Sequence, residues 1–181
     1  MENANGQVNK INYQLALDRI AENADPSSPP SVLLQCCCGP CSSWCLKYLC
    51  DHFRVTVLFY NPNIFPEDEY LLRKSELMKL LAMTSYKYAV SVIDCDYRPA
   101  DFENACSPLA DEPEGGKRCV SCFRLRLGFT AAMAKEKQFD YFCSTLTVSP
   151  HKNAAIINTI GFELEEQYGV KWLPRSEEAH V

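Results

Sequence analysis

A short apolar run, Val32-Leu33-Leu34, opens almost directly onto Cys36-Cys37-Cys38-Gly39-Pro40-Cys41, and few folds have a use for that junction. A strand ending in a Gly/Pro turn aims neighbouring side chains at one point. Thiols gathered there are poor core fillers and good soft-metal ligands. A second pair, in Cys119-Val120-Ser121-Cys122, waits far downstream. Free cysteine is also a small, often buried hydrophobe, and that reading suits the scattered Cys50, Cys95, Cys106 and Cys143, with Cys36 and Cys45. It suits the clustered thiols poorly.

Eleven cysteines in 181 residues invite comparison with secreted, disulfide-stapled domains. However, the count is odd, the chain is longer than domains that need staples, and the N-terminus is polar, without the apolar core of a signal peptide. No apolar stretch approaches the ~20 residues that span a bilayer, so no membrane association is expected. Hydrophobic residues make up 47%, enough for one core with at most a small appendage. The expected setting is a reducing cytoplasm, where cysteines serve metals or catalysis. A formal net charge of −5 argues against a generally sticky nucleic-acid binder. It leaves room for a local basic site. Lys117, Arg118, Arg124 and Arg126 surround the Cys119/Cys122 pair with no acidic residue among them, which suits an anionic substrate as well as it suits a solvated helix face.

Periodicity alternates strands with helices. A loose helical pattern over residues 11–24 (Ile11, Leu15, Leu17, Ile20) precedes a Pro/Ser linker at 25–30. Strands are predicted at 31–35, 55–60, 88–93 and 139–143, with a last short one at 171–173; the second is β-branched or aromatic at most positions. Helices are predicted at 40–49, 67–83, 119–137 and 150–168, with a helical turn at 101–105 and Gly161 a blemish inside the last. This pattern implies an α/β fold, a mostly parallel sheet with helices on both faces. Ligands of such sheets sit beyond the carboxyl ends of the strands, where the Cys36–Cys41 turn, Tyr60-Asn61-Pro62-Asn63 and residues 144–153 all fall.

Several chemistries fit that location. A phosphate loop is disfavoured, because the turn lacks the glycines and Walker lysine and Pro40 removes an N–H. Cys37, Cys38 or Cys41 with Cys119 and Cys122 would make a tetrahedral zinc site, and four such thiolates equally suit a [4Fe–4S] cube. Cys38-Gly39-Pro40-Cys41 also matches a dithiol oxidoreductase motif, although such a site needs no further cysteine pair on another helix. Spacing alone leaves iron–sulfur and zinc both open.

Four motifs in order carry a resemblance: Cys37-Cys38-Gly39-Pro40-Cys41; Tyr60-Asn61-Pro62-Asn63-Ile64; Glu114-Gly115-Gly116-Lys117-Arg118-Cys119-Val120-Ser121-Cys122; and Ser144-Thr145-Leu146-Thr147-Val148-Ser149-Pro150-His151-Lys152-Asn153. From about residue 11 to 174 the chain resembles the QueH epoxyqueuosine reductases. The resemblance implies a single Rossmann-like sheet of the HUP (adenine nucleotide alpha-hydrolase-like) type. It also implies a cytoplasmic, cobalamin-independent oxidoreductase of tRNA queuosine biosynthesis, fed by an unidentified electron donor, that reduces epoxyqueuosine at the tRNA wobble position. A [4Fe–4S] cluster on Cys37, Cys38, Cys119 and Cys122 is implied as well, with a further iron beside it for which Cys41 is the nearest ligand and the catalytic candidate. Cys36 is then an extra. The substrate tRNA is expected to meet Arg124, Arg126 and Lys152 through its backbone, and Tyr60, Asn61 or Phe65 near the base, although core packing is the plainer role for the two aromatics. A zinc-bound RNA-binding scaffold without redox chemistry is the alternative.

Residues 1–30 are expected to form the N-terminal helix and linker, and residues 31–181 the iron–sulfur domain. Members of the resembled family carry a C-terminal Cys-x-Cys, regarded as a redox-active disulfide, whereas no cysteine follows Cys143 here. The expectation is therefore a truncated C-terminal end, with the cluster retained and turnover low.

Overall fold

A computed structural model of the chain describes residues 12–175. Its sheet comprises β1 (Ser31–Gln35), β2 (Arg54–Phe59), β3 (Ser91–Asp94), β4 (Tyr141–Ser144) and β5 (Lys171–Trp172), in the order β3-β2-β1-β4-β5 with every neighbouring pair parallel. The helices are α1 (Tyr13–Glu22), α2 (Gly39–Leu49), α3 (Glu67–Met83), α4 (Pro99–Cys106), α5 (Lys117–Glu136) and α6 (Ala154–Tyr168). The anticipated Rossmann-like α/β fold is what forms. Ile11, the first apolar position of the predicted N-terminal helix, lies outside the described residues.

The central strand explains the topology. Val32, Leu33, Leu34 and Gln35 of β1 are all buried, as a strand covered on both faces must be. Right-handed crossovers that run outward from β1 in opposite directions put their helices on opposite faces. Accordingly α2 packs on α3, and α5 packs on α4 and α6. Leu17 and Ala21 of α1 join the same core, and the Tyr48 hydroxyl of α2 donates to Asp18 of α1 at 2.5 Å. Because β1 and β4 are neighbours whose chains leave in opposite directions, a crevice opens at their carboxyl ends.

Local chemistry moved several boundaries. The last long helix starts at Ala154 and not at 150, because the Asn153 side chain accepts from Ile156 N at 3.1 Å and caps it there. Gly169, at φ 74°, ends it in the left-handed conformation. Residues 145–148 form a 3-10 turn capped by Ser144, a feature absent from the periodic pattern. The strands predicted at 88–93 and 139–143 sit a few residues later, at Ser91–Asp94 and Tyr141–Ser144. Gly161 is no blemish: a Cβ there would fall inside the indole of Trp172, so helix and β5 meet only because the side chain is missing.

The entry to β1 is tied to the entry to β4 by a pair of side chains. Asp140 Oδ2 accepts from Ser31 N at 2.8 Å and from Ser31 Oγ at 2.7 Å, and Asp140 N donates to Ser31 Oγ at 3.0 Å. The Ser31 N–H and O–H bonds hold the Asp140 carboxyl below the usual carboxylate range. A depressed folded-state pKa contributes stability above the unfolded value, and that stability fades as pH falls through the folded one. Asp140→Ala is expected to cost about 1 kcal/mol at neutral pH, as a net hydrogen-bond loss at a solvated site. The cost should start to shrink below about pH 4, where the carboxyl of the unfolded chain takes up its proton, and should fade further as the folded carboxyl protonates below that. Urea unfolding at pH 7 and pH 3 checks both statements.

Candidate metal centre

At the crevice, β1 ends and the chain enters α2 through the cysteine turn. Cys38 is the N-cap of α2 in extended conformation, with Pro40 in the first turn where its missing N–H leaves nothing unsatisfied. Ser42 Oγ donates to Cys38 O at 2.5 Å, and Cys36 N donates to Leu58 O at 3.0 Å. These bonds fix the turn, and the sulfurs of Cys37, Cys38 and Cys41 then converge with all three Sγ atoms within 4.8 Å of one another. Cys37 and Cys38 sulfurs are 3.8 Å apart, and Cys37 Sγ is 3.5 Å from Thr145 Oγ1, on the turn after β4. Among the described residues this is the one group of three or more metal-ligand side chains so closely gathered.

The three thiols cannot share their charge evenly. Hydrogen bonds from Cys38 and Cys41 hold Cys37 far below the ordinary thiol range, assisted by the Arg126 charge and the Thr145 hydroxyl and opposed by burial. The same bonds with Cys37 push Cys38 up and Cys41 far up. Without a cation the turn therefore sustains one thiolate, since a second faces like charge at contact. A bound metal reverses that logic and ionises all three. Cys36, by contrast, is buried and its thiol is driven well above the usual range by that burial. Cys45 behaves likewise, pushed up to about 11. Cys36, Cys45, Cys50, Cys106 and Cys143 are all core residues, as anticipated, and Cys95 is half-buried.

Cys119 and Cys122 occupy the first two turns of α5. They stand outside the compact trio and line a cavity of about 310 Å³ with Asn63, Phe102, Glu112 and Arg118. Gly115, at φ 81°, turns the chain into α5 and donates its N–H to Cys119 Sγ at 3.3 Å. Burial raises the Cys122 thiol, while Arg126 one turn further along α5 pulls the other way. Arg126 thus acts on Cys37 and on Cys122 alike.

The proposed substrate residues fall into two sets. Arg126 is only 2% exposed and cannot reach a phosphate at the surface, contrary to its expected place in a basic patch. Its phase explains why: Phe123, Arg126, Leu127, Thr130, Ala131 and Ala134 form the buried stripe of α5. Tyr60 and Asn61 are buried as well. Tyr60 stacks on Phe129 with ring centroids 3.9 Å apart and donates to Asp101 at 2.7 Å, so core packing is its place. Asn61 Oδ1 accepts from Arg126 Nη2 at 2.6 Å and from Gln35 Nε2 at 3.1 Å, and its Nδ2 donates to Cys36 O at 2.8 Å. Ser144 Oγ completes this chain by donating to Gln35 Oε1 at 2.7 Å. Ser144 opens the last of the four motifs, whereas Gln35 enters the sequence reading only as the end of a strand, although a glutamine closing a buried strand is a signal. Arg124, paired with Glu163 at 2.7 Å, and the half-buried Lys152, which donates to Ser149 Oγ at 3.2 Å, remain at the surface. Phe65 is 47% exposed and packs beside Phe102, which lines the cavity.

A sequence profile of the family described as "Epoxyqueuosine reductase QueH" matches residues 32–178. The chain belongs to the QueH family. A curated QueH relative from Streptococcus pyogenes serotype M1 is 40% identical over 168 residues, covering 91% of this chain and 66% of the relative. One from Staphylococcus epidermidis is 39% identical over 170 residues, covering 91% and 71%. One from Thermotoga maritima is 32% identical over 145 residues, covering 78% and 72%. All three carry the name "Epoxyqueuosine reductase QueH". The chain spans about two thirds of the length of the Streptococcus relative. Both cysteine groups and the Arg126–Asn61 network lie inside the QueH match. Among the described residues, no helix is long and apolar enough to cross a membrane.

Proposed function

We propose that this chain is an epoxyqueuosine reductase that acts on tRNA, with Cys37, Cys38, Cys119 and Cys122 holding a [4Fe–4S] cluster and Cys41 the nearest ligand for an adjacent iron. The observation that carries the reading is the convergence of three thiols at the sheet crevice inside the QueH match. The donor set fits the group: soft sulfurs that need a cation to ionise together, next to a buried guanidinium that favours an anionic neighbour.

Turning an epoxide into an alkene with loss of water takes two electrons and two protons, and the iron–sulfur group, replenished by an external donor, would supply the electrons that side chains cannot. The chain's own residues do the rest. The cavity beside Cys119 and Cys122 would receive the modified base, with Phe102 as its apolar wall and Arg118, over the Phe102 ring, at its edge; the exposed Phe65 packs beside Phe102. Arg124, Lys117 and Lys152 would meet the RNA backbone. Tyr60, Asn61 and Arg126 would act from beneath, holding the cysteine turn in place.

One distance favours a second reading. Sulfurs about 2.3 Å from a tetrahedral zinc stand about 3.8 Å apart, the separation of Cys37 and Cys38. On that reading a single ion sits on the Cys37/Cys38/Cys41 trio, and the chain is a zinc-bound RNA-binding module. Protein purified without oxygen separates the two. The reductase reading expects a brown protein with iron and acid-labile sulfide, and queuosine produced from epoxyqueuosine-tRNA under a chemical reductant, detected by nucleoside mass spectrometry. A colourless, zinc-loaded chain that leaves the modified tRNA unchanged would sink it.

A further inference from the structure

We propose that Arg126 is the fixed counter-charge of the metal centre, a buried cation with no carboxylate partner among the described residues, which an anionic metal–thiolate group completes. The inference rests on the reading of the cysteines as metal ligands and adds a residue that touches no metal. Arg126 is 2% exposed. Its Nη2 donates to the neutral amide of Asn61 at 2.6 Å, while its buried Nε has no acceptor. Among the described residues no carboxylate stands within ion-pair distance of it.

A buried, unpaired cation is strongly disfavoured, and arginine cannot relieve the cost by losing its proton. In the bare chain the Cys37 thiolate offsets part of that cost, and a metal–thiolate group of greater negative charge would offset more of it. A divalent ion with three thiolates, or a [4Fe–4S] core with four, carries net negative charge. The guanidinium lies one helical turn beyond Cys122 on α5, and its field reaches Cys37 across the crevice. Its position is not left to chance. Asn61 is locked by Cys36 O on one side and by Gln35 on the other, so the amide oxygen that steers Arg126 cannot rotate away. The network therefore places one positive charge beside both cysteine groups and holds it there.

The proposal makes the metal-free and metal-loaded states respond in opposite directions. The full chain, stripped of metal by a chelator without oxygen, is titrated with Co²⁺ and followed by the thiolate-to-cobalt charge-transfer absorbance; urea unfolding of the metal-free form is recorded in parallel. Arg126→Gln is expected to bind Co²⁺ at least tenfold more weakly than the parent. Metal-free Arg126→Gln and Arg126→Met are expected to unfold at higher urea than the parent, and Arg126→Lys, which keeps a charge, to recover most of the lost Co²⁺ affinity. Equal Co²⁺ affinity in Arg126→Gln and the parent, metal-free variants less stable than the parent, or an Arg126→Lys no better than Arg126→Gln would each overturn the counter-charge role. A parent chain that binds no Co²⁺ at all would instead overturn the metal-ligand reading on which the proposal stands.

Discussion

Cys37→Ala is expected to reduce protein-bound iron to background and epoxyqueuosine reduction by at least a hundredfold. Cys37 is the hub of the turn: its sulfur meets Cys38 and Thr145, and its thiolate is the one the surroundings favour. Removing it deletes a ligand and also the charge that the neighbouring thiols and Arg126 are arranged around. Loss of a thiolate from a four-thiolate cluster leaves an iron open to solvent and the assembly unstable. Cys36→Ala and Cys50→Ala should keep their iron, because both thiols are buried in the core and held protonated by burial. Iron and sulfide per chain, measured after anaerobic reconstitution, decide the matter. The Cys119→Ala/Cys122→Ala double variant is the sharper case. If it retains one metal ion without sulfide, the trio at the turn is a complete site and the four-thiolate assignment is wrong.

The second large effect is on stability, and its sign is opposite to what helix propensity gives. An alanine at position 161 ought to gain about 1 kcal/mol over glycine inside a helix. Gly161→Ala is expected instead to cost about 3 kcal/mol or more, at the upper end of overpacking penalties. The added methyl would overlap the Trp172 indole. That ring cannot swing aside cheaply, since its Nε1 donates to Asn158 Oδ1 at 2.9 Å and its face meets Phe142 with centroids 5.0 Å apart. Urea unfolding followed by tryptophan fluorescence reads the change. A midpoint at or above that of the parent would show that α6 and β5 can separate without penalty.

Much of this was legible in the chain, and the reasons differ by element. The β1 and β2 strands are apolar or β-branched because they are covered on both faces, so their signal is strong; α3 was bounded at both ends, with Glu67, Asp68 and Glu69 marking its first turn. Short strands such as β3 carry few buried side chains, and their limits drifted accordingly. The short Gly/Pro turn announces that its thiols gather, but not which: Cys37, Cys38 and Cys41 converge, while the adjacent Cys36 is buried in the core. Charge alone puts Arg126 in a basic patch, but its spacing from Phe123 and Leu127 places it on the apolar stripe of α5. Tyr60 and Asn61 stand out through their motif, but their roles depend on distant partners, Phe129 for Tyr60 and, for Asn61, Cys36 and Arg126, 25 and 65 residues away. No local pattern encodes such pairings.

The sequence distance across the cysteine site bears on how such a protein is born. Cys37 meets Thr145 across 108 residues, and Arg126 meets Asn61 across 65. Until β4 has docked beside β1, the three thiols of the turn have neither their hydroxyl partner nor their buried cation. A nascent chain that has exposed only its first half therefore presents Cys37, Cys38 and Cys41 as an unguarded trio, open to oxidation and to stray metal. Correct loading has to wait for the second half of the sheet, so the order of synthesis itself sets a window of vulnerability for the finished centre.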